Sequence, residues 1–229
     1  MQAKKVAIVV GLGEAWPVPL KSDNHISTDA HPSGTMSPDG ATLGVDTTPP
    51  SKSRSFTAKD YWNLPEGVRA ELIDGELYDM APPNRVHQKI VLRISRVIDE
   101  YIERHNGECE VYPAPFALNL NADDTTYVEP DVSVVCDPSK LTSSGCTGAP
   151  DFIAEVVSPS SRRMDYLTKG SLYSNAGVRE YWVVDPEKSK TTVYDFENES
   201  FAPIIYPFSS PIPVGIYPGL TITIDELLK

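Results

Sequence analysis

Apolar positions recur with the periods of regular structure from about residue 56 onward. Between residues 86 and 105, Ile90, Val91, Ile94, Val97, Ile98, Tyr101 and Ile102 stand three and four apart, the spacing that gathers them on one face of a helix. This predicts the longest helix of the chain. Before it, residues 69–73 and 76–80 flank Asp74-Gly75, a dipeptide favoured in two-residue hairpin turns because both positions take positive φ. Thr57-Ala58-Lys59-Asp60 reads as a capping box opening a short helix through Tyr61 and Trp62, ended near Pro65. Strand patterns follow at 110–120, 128–135 and 152–157. A second helix fits 161–175, stopped by Gly177, and further strands fit 180–184, 191–196 and 202–206. The order of helix, three strands, helix and strands predicts an α/β (α+β) fold with a central mixed β-sheet and helices packed on it.

The first quarter of the chain reads differently. From residue 21 to 55, Ser, Thr, Pro, Gly and Asp dominate, and Ile26, Met36, Leu43 and Val45 are the only large aliphatic residues. Such a segment cannot repay its ordering entropy. Residues 1–55 are therefore expected to be a disordered or low-complexity extension, and 56–229 the folded domain. Lys4-Lys5 followed by an apolar run at 6–12 has the charge order of a signal peptide, but Glu14, Trp16 and Pro17 follow it and no cleavage site is evident. Gly11-Leu12-Gly13 lacks the third glycine of a dinucleotide-binding turn, and Pro17 and Pro19 interrupt the helix that should follow.

Composition narrows the function classes. Twenty basic and 32 acidic side chains give a net charge of −12, which excludes a protein that coats nucleic acid through bulk charge. No apolar run approaches the roughly 20 residues of a bilayer span. Cys109, Cys136 and Cys146 form neither a CxxC pair nor a zinc spacing. No disulfide framework is expected, Cys136 reads as a small buried hydrophobe, and the cytoplasm is the expected compartment.

The chemistry concentrates on the apolar strands. Phe152-Ile153-Ala154-Glu155-Val156-Val157 reads as a central strand with one carboxylate in its middle. Glu155 there calls for a cationic partner, a metal ion or a neutral form, and a structural ion pair remains an equal alternative. Asp131 opens the other apolar strand, directly after Pro130, where an exposed strand-start carboxylate is the plain reading. If both strands are central, the two carboxylates project from one end of the sheet, as in sites that hold Mg²⁺ with one or two carboxylates, a backbone carbonyl and waters. Asp165, Lys169 and Tyr173 stand at i, i+4 and i+8 of the second helix and share a face, although an Asp–Lys pair at that spacing is also an ordinary surface ion pair. Glu71 in the first hairpin strand and His87 near the start of the long helix are further candidates or surface decoration.

Taken together, Glu71-Leu72-Ile73-Asp74-Gly75-Glu76-Leu77, His87, Glu129-Pro130-Asp131-Val132, Ala149-Pro150-Asp151-Phe152, Glu155-Val156-Val157-Ser158-Pro159-Ser160, Asp165, Lys169, Tyr173 and Gly177-Val178-Arg179-Glu180-Tyr181-Trp182 resemble the Uma family of restriction endonuclease-like proteins, in the PD-(D/E)XK nuclease superfamily. The resemblance covers about residues 56–229. It implies the αβββαβ nuclease core with an added N-terminal helix and hairpin, Asp131 in the place of the motif's Asp and Glu155 in that of its acidic partner. Val157 stands where the motif's lysine is expected, and the resemblance makes Lys169 of the following helix the substitute. The implied function is a metal-dependent DNA endonuclease. Asp131, Glu155 and the Val156 carbonyl would hold Mg²⁺ or Mn²⁺, Lys169 would assist the attacking water, and Glu71 would be an accessory acid. DNA is the implied substrate, no membrane is involved, and a homodimer is allowed. A non-catalytic interaction or regulatory module on the same fold is the alternative.

Overall fold

The computed structural model describes residues 55–159, 161–198 and 202–229. The expectations for the N-terminal extension, apart from Ser55, and for Ser160 fall outside these residues.

The first element among the described residues is a short helix α1 (Ala58–Trp62), closed at its start by the expected capping box between Thr57 and Asp60. The hairpin β1 (Ala70–Ile73) and β2 (Glu76–Asp79) follows, turning through Asp74 and Gly75 at φ 50° and 77°. Helix α2 (Arg85–Arg104) is capped by the Asn84 side chain, which accepts from the N–H groups of Val86 and His87. Next come β3 (Glu110–Pro113), β4 (Ala117–Asn119), β5 (Tyr127–Val128), β6 (Val132–Val135), β7 (Leu141–Thr142), β8 (Gly145–Thr147) and β9 (Phe152–Val156). A π-helical turn (Met164–Thr168) runs into α3 (Lys169–Ala176), which ends at Gly177 in the left-handed conformation at φ 95°. The chain finishes with β10 (Glu180–Asp185), β11 (Lys190–Asp195), β12 (Ile204–Pro207), β13 (Ile212–Pro213), β14 (Thr221–Ile222) and α4 (Ile224–Leu228).

The central sheet has the order β12-β11-β10-β9-β6-β3. Its pairings are antiparallel except for β9 with β10, which run parallel and are joined through α3. With α2 before it, this is an αβββαβ core (α2, β3, β6, β9, α3, β10), as the pattern and the resemblance imply. β6, β9 and β10 are buried along their whole length, so both faces are covered. On one face Ile90, Ile94 and Ile98 of α2 pack on Val132, Val134, Ala154, Val156, Trp182 and Val184. On the other, Val135, Ile153, Tyr181 and Val183 pack with Tyr173 of α3 and with Ile73, Leu118, Val128 and Cys146.

Those last residues belong to a second six-stranded sheet, β2-β1-β5-β4-β8-β7, that the pattern did not reveal. Two expected strands are each cut in two by proline. The segment 110–120 divides at Pro113-Ala114-Pro115 into β3 of the central sheet and β4 of the second. The segment 128–135 divides at Pro130 into β5 and β6 in the same way. Proline cannot donate to a ladder, so each cut is where the chain changes sheets.

The cysteine expectation is also corrected. Cys109 and Cys136 form a disulfide, and Cys146 is free and buried. The pairing of β3 with β6 sets Glu110 opposite Val135, which brings the two cysteines opposite each other one step further along. That juxtaposition depends on register, which a spacing of 27 residues does not disclose.

Candidate functional site

The β6–β9 register decides how the two acidic candidates meet. Val132 pairs with Ala154 and Ser133 with Ile153, so Asp131 lies opposite Glu155 one step beyond the ladder. The Asp131 N–H points at Glu155 Oε2 at 3.4 Å, and the Val156 N–H donates to Asp131 Oδ2 at 2.8 Å. By strand alternation Glu155 shares its face with Ile153 and Val157, the face covered by α3.

Helix α3 and β1 complete the cluster. Lys169 Nζ lies 2.8 Å from Glu155 Oε1 and 3.0 and 2.9 Å from the two Glu71 oxygens, with Asp165 Oδ1 at 3.8 Å. Tyr173 donates from its hydroxyl to Glu155 Oε1 at 2.8 Å. Lys169, Glu71, Glu155, Asp165 and Tyr173 are all buried, so Lys169 is not the surface ion pair of the plain reading. The π-helical turn carries Asp165 into the segment ahead of α3, and Tyr181 fixes that turn by donating to the Asp165 carbonyl.

His87, in the first turn of α2, reaches Asp131 from the far side of the sheet end, with Nε2 3.1 Å from Oδ2. The buried Nδ1 of the same ring has no hydrogen-bond partner among the described residues. Glu129 is a member of the network that sequence reasoning did not single out. Its N–H donates to Glu71 Oε1 at 3.0 Å, and its carboxylate accepts from Tyr61 Oη at 2.8 Å and Arg69 at 2.6 Å. The signal was its place in Glu129-Pro130-Asp131, but its role depends on β1 lying alongside β5. The structure thus brings Asp131, Glu155, Lys169, Glu71, His87, Asp165, Tyr173 and the Val156 backbone to one end of the central sheet.

Charge is unbalanced there. Burial raises the Glu155 carboxyl well above its usual range, Lys169 pulls it back, and Asp131, Asp165 and Glu71 raise it further. Burial raises Asp165 to about 6, again against Lys169. Burial works to lower the Lys169 ammonium, but Glu155, Glu71 and Asp165 outweigh it and hold the proton far above the ordinary lysine range. The directions agree physically, because one ammonium cannot neutralise three buried carboxylates.

The donor set fits a hard divalent cation. Each strand carboxylate has one oxygen engaged by the protein: Asp131 Oδ2 by Val156 N–H and His87, Glu155 Oε1 by Lys169 and Tyr173. Among the described residues, Asp131 Oδ1 accepts no hydrogen bond and Glu155 Oε2 has only the 3.4 Å contact. No three His, Cys, Asp or Glu side chains form a ready cage among the described residues. Mg²⁺ typically needs none, being held by one or two carboxylates with water and substrate phosphate.

Comparison with known proteins bears on the fold and the family. A solved chain described as "a putative nuclease belonging to DUF820" from Anabaena variabilis matches with a TM-score of 0.62 at 19% identity, over 75% of this chain and 97% of that one. At that identity the match establishes the fold. Two uncharacterized Synechocystis sp. proteins, slr1290 and sll1609, are 28% and 26% identical over 134 and 138 residues, covering 58% of this chain and 69% and 76% of theirs. Residues 58–225 match the family Uma2, described as "Putative restriction endonuclease", and the chain belongs to that family.

Proposed function

We propose that this protein is a divalent-metal-dependent DNA endonuclease that hydrolyses phosphodiester bonds at the Asp131–Glu155 end of the central sheet. The observation that supports this reading is the pairing of Asp131 and Glu155 across β6 and β9, each with one oxygen held by protein donors and one left over. Asp131, Glu155 and the Val156 carbonyl would hold Mg²⁺ or Mn²⁺. Such an ion supplies Lewis-acid polarisation of a phosphoryl oxygen and acidifies a bound water.

The chain's own residues do the rest. Tyr173 and Lys169 fix the rotation of the Glu155 carboxylate, and Val156 N–H and His87 fix that of Asp131. Two protons of the Lys169 ammonium answer Glu155 and Glu71. Asp165 stands beyond hydrogen-bond distance at 3.8 Å, and the ammonium would act on charge developing at a phosphoryl oxygen through its field. Glu71 acts as an accessory acid that positions Lys169, and Glu129 positions Glu71. With a net charge of −12, DNA binding should be weak and salt-sensitive.

The test is incubation of single- and double-stranded DNA with the wild type and with Asp131→Ala, with and without Mn²⁺. Cleavage by the wild type only, and only with the ion, is expected; equal products from both proteins would defeat the assignment. One observation favours a non-catalytic module instead: the carboxylates already have a cation in Lys169. Calorimetry with Mn²⁺ separates the two readings, since absence of binding near neutral pH supports the module.

A further inference from the structure

The turn between β10 and β11 lies at the same end of the central sheet as Glu155. β9 and β10 run parallel with Glu155 beside Val183 and Val156 beside Val184, and β10 ends one residue later at Asp185, which pairs with Lys190. Alternation along β11 sets Lys190 on the face of Tyr194, which packs with Tyr181, Val183 and Ile153 on the α3 side. The Lys190 backbone is therefore two strand spacings from β9, roughly 10 Å, on the face that carries Glu155.

At this point two ammonium groups converge on one ring. Lys188 Nζ and Lys190 Nζ lie 5.9 and 5.6 Å from the ring centroid of Tyr166, the residue that directly follows Asp165. The Tyr166 hydroxyl is tied to Asp185 Oδ2 at 3.4 Å. Neither lysine has a carboxylate partner among the described residues. The acids of the turn are engaged by Arg162, Asp185 at 3.3 Å and Glu187 at 2.7 Å, and Asp185 Oδ1 also accepts the Lys188 backbone N–H. Cation–π attraction accounts for one ammonium on a tyrosine. It does not account for two like charges brought to the same ring, neither with a carboxylate at ion-pair distance among the described residues, in a chain whose net charge is −12.

We propose that Lys188 and Lys190 form a phosphate clamp, with Tyr166 as its platform, that takes a backbone phosphate of the substrate strand beside the scissile one. This rests on the endonuclease reading and names the surface by which an acidic chain holds a polyanion. Lysine suits the task, because a compact point charge attracts phosphate without demanding one orientation and so without reading sequence. The clamp's closeness to Asp165 and the π-helical turn links the held strand to the element that positions Lys169.

The test is fluorescence anisotropy of a labelled single-stranded DNA oligonucleotide in Ca²⁺, across a range of salt, for the full chain and for Lys188→Gln/Lys190→Gln. The double variant should bind several-fold more weakly. Its slope of log affinity against log salt should be shallower by about 1.4, near 0.7 for each ammonium that no longer neutralises a phosphate. Lys188→Arg/Lys190→Arg should keep the wild-type slope, and all three proteins should melt at the same temperature. Equal affinity and slope for wild type and the Gln pair would overturn the clamp, and Mn²⁺-dependent cleavage by that same pair would show that the endonuclease reading survives it. A wild type that neither binds nor cleaves the oligonucleotide would overturn both.

Discussion

Two glutamates are buried in adjacent central strands, and they are answered in opposite ways. Glu155 of β9 sits at one end of the sheet on the α3 face; Glu180 of β10 pairs with Phe152 at the other end, on the face of Trp182 and α2. Burial raises both carboxyls above the ordinary range. Among the described residues Glu180 accepts hydrogen bonds from neutral donors only, Trp182 Nε1–H at 2.7 Å, the Ile216 N–H at 3.1 Å and the Gly215 N–H, with Asp195 as the one other charge raising it. A Cβ on Gly215 would stand 3.1 Å from Glu180 Oε2, so the loop closes on the carboxylate. Glu155 is met by a lysine, a tyrosine and three further carboxylates, more charge than the cluster can neutralise. A buried carboxylate is thus no sign of function by itself. Fixed dipoles satisfy the carboxylate at one end, whereas unbalanced titratable groups mark the other end as the candidate site.

The largest expected effect separates the two ends by activity. Glu155→Gln and Asp131→Asn should each lower Mn²⁺-dependent DNA cleavage by about 10²-fold or more, the scale of losing one electrostatic contributor, with the fold intact by circular dichroism. Glu180→Gln should cleave at the wild-type rate. Comparable losses at both positions would erase the distinction.

Lys169 should show both kinds of effect. It is 4% exposed, so Lys169→Met strips three buried carboxylates of their cation. It should cost about 3–5 kcal/mol in denaturant unfolding as well as activity. A surface lysine would have cost almost nothing.

Asp165 supplies the pH test. Its carboxyl is raised from 3.8 to about 6, so the folded state disfavours the ionised form. Its contribution to stability is fully present below about pH 4 and is lost as pH rises through about 6, up to ~3 kcal/mol at 1.36 kcal/mol per pH unit. Asp165→Asn should flatten the dependence of melting temperature on pH across that window. An unchanged profile would mean the group is better solvated than its burial implies.

The smallest effect is at the neutral end. Glu180→Gln turns an amide NH₂ toward backbone and indole donors, leaving one unsatisfied at a cost of about 1–3 kcal/mol in unfolding free energy. A gain in stability would show that the buried charge outweighs its hydrogen bonds.

The elements of the core were legible because their patterns are local. Seven apolar residues at helical spacing marked α2, and apolar runs beside or around one carboxylate marked β6 and β9. The Asp165, Lys169 and Tyr173 stripe was legible for the same reason, even with a π-helical turn at its start. Three things were not: the second sheet, the Cys109–Cys136 disulfide and the place of Glu129. Each depends on which strand lies beside which, a contact between segments distant in the chain that no local periodicity encodes.

By itself, then, the sequence determined the core helices, the apolar runs of the central strands and the candidate residues for chemistry, because periodicity, turn residues and isolated carboxylates act over a few positions. Tertiary structure alone decided that Asp131 meets Glu155, that Lys169 turns inward rather than to solvent, and that Glu180 is satisfied by a loop 36 residues away. Register and packing set the distances between side chains, and both charge balance and catalysis depend on distance.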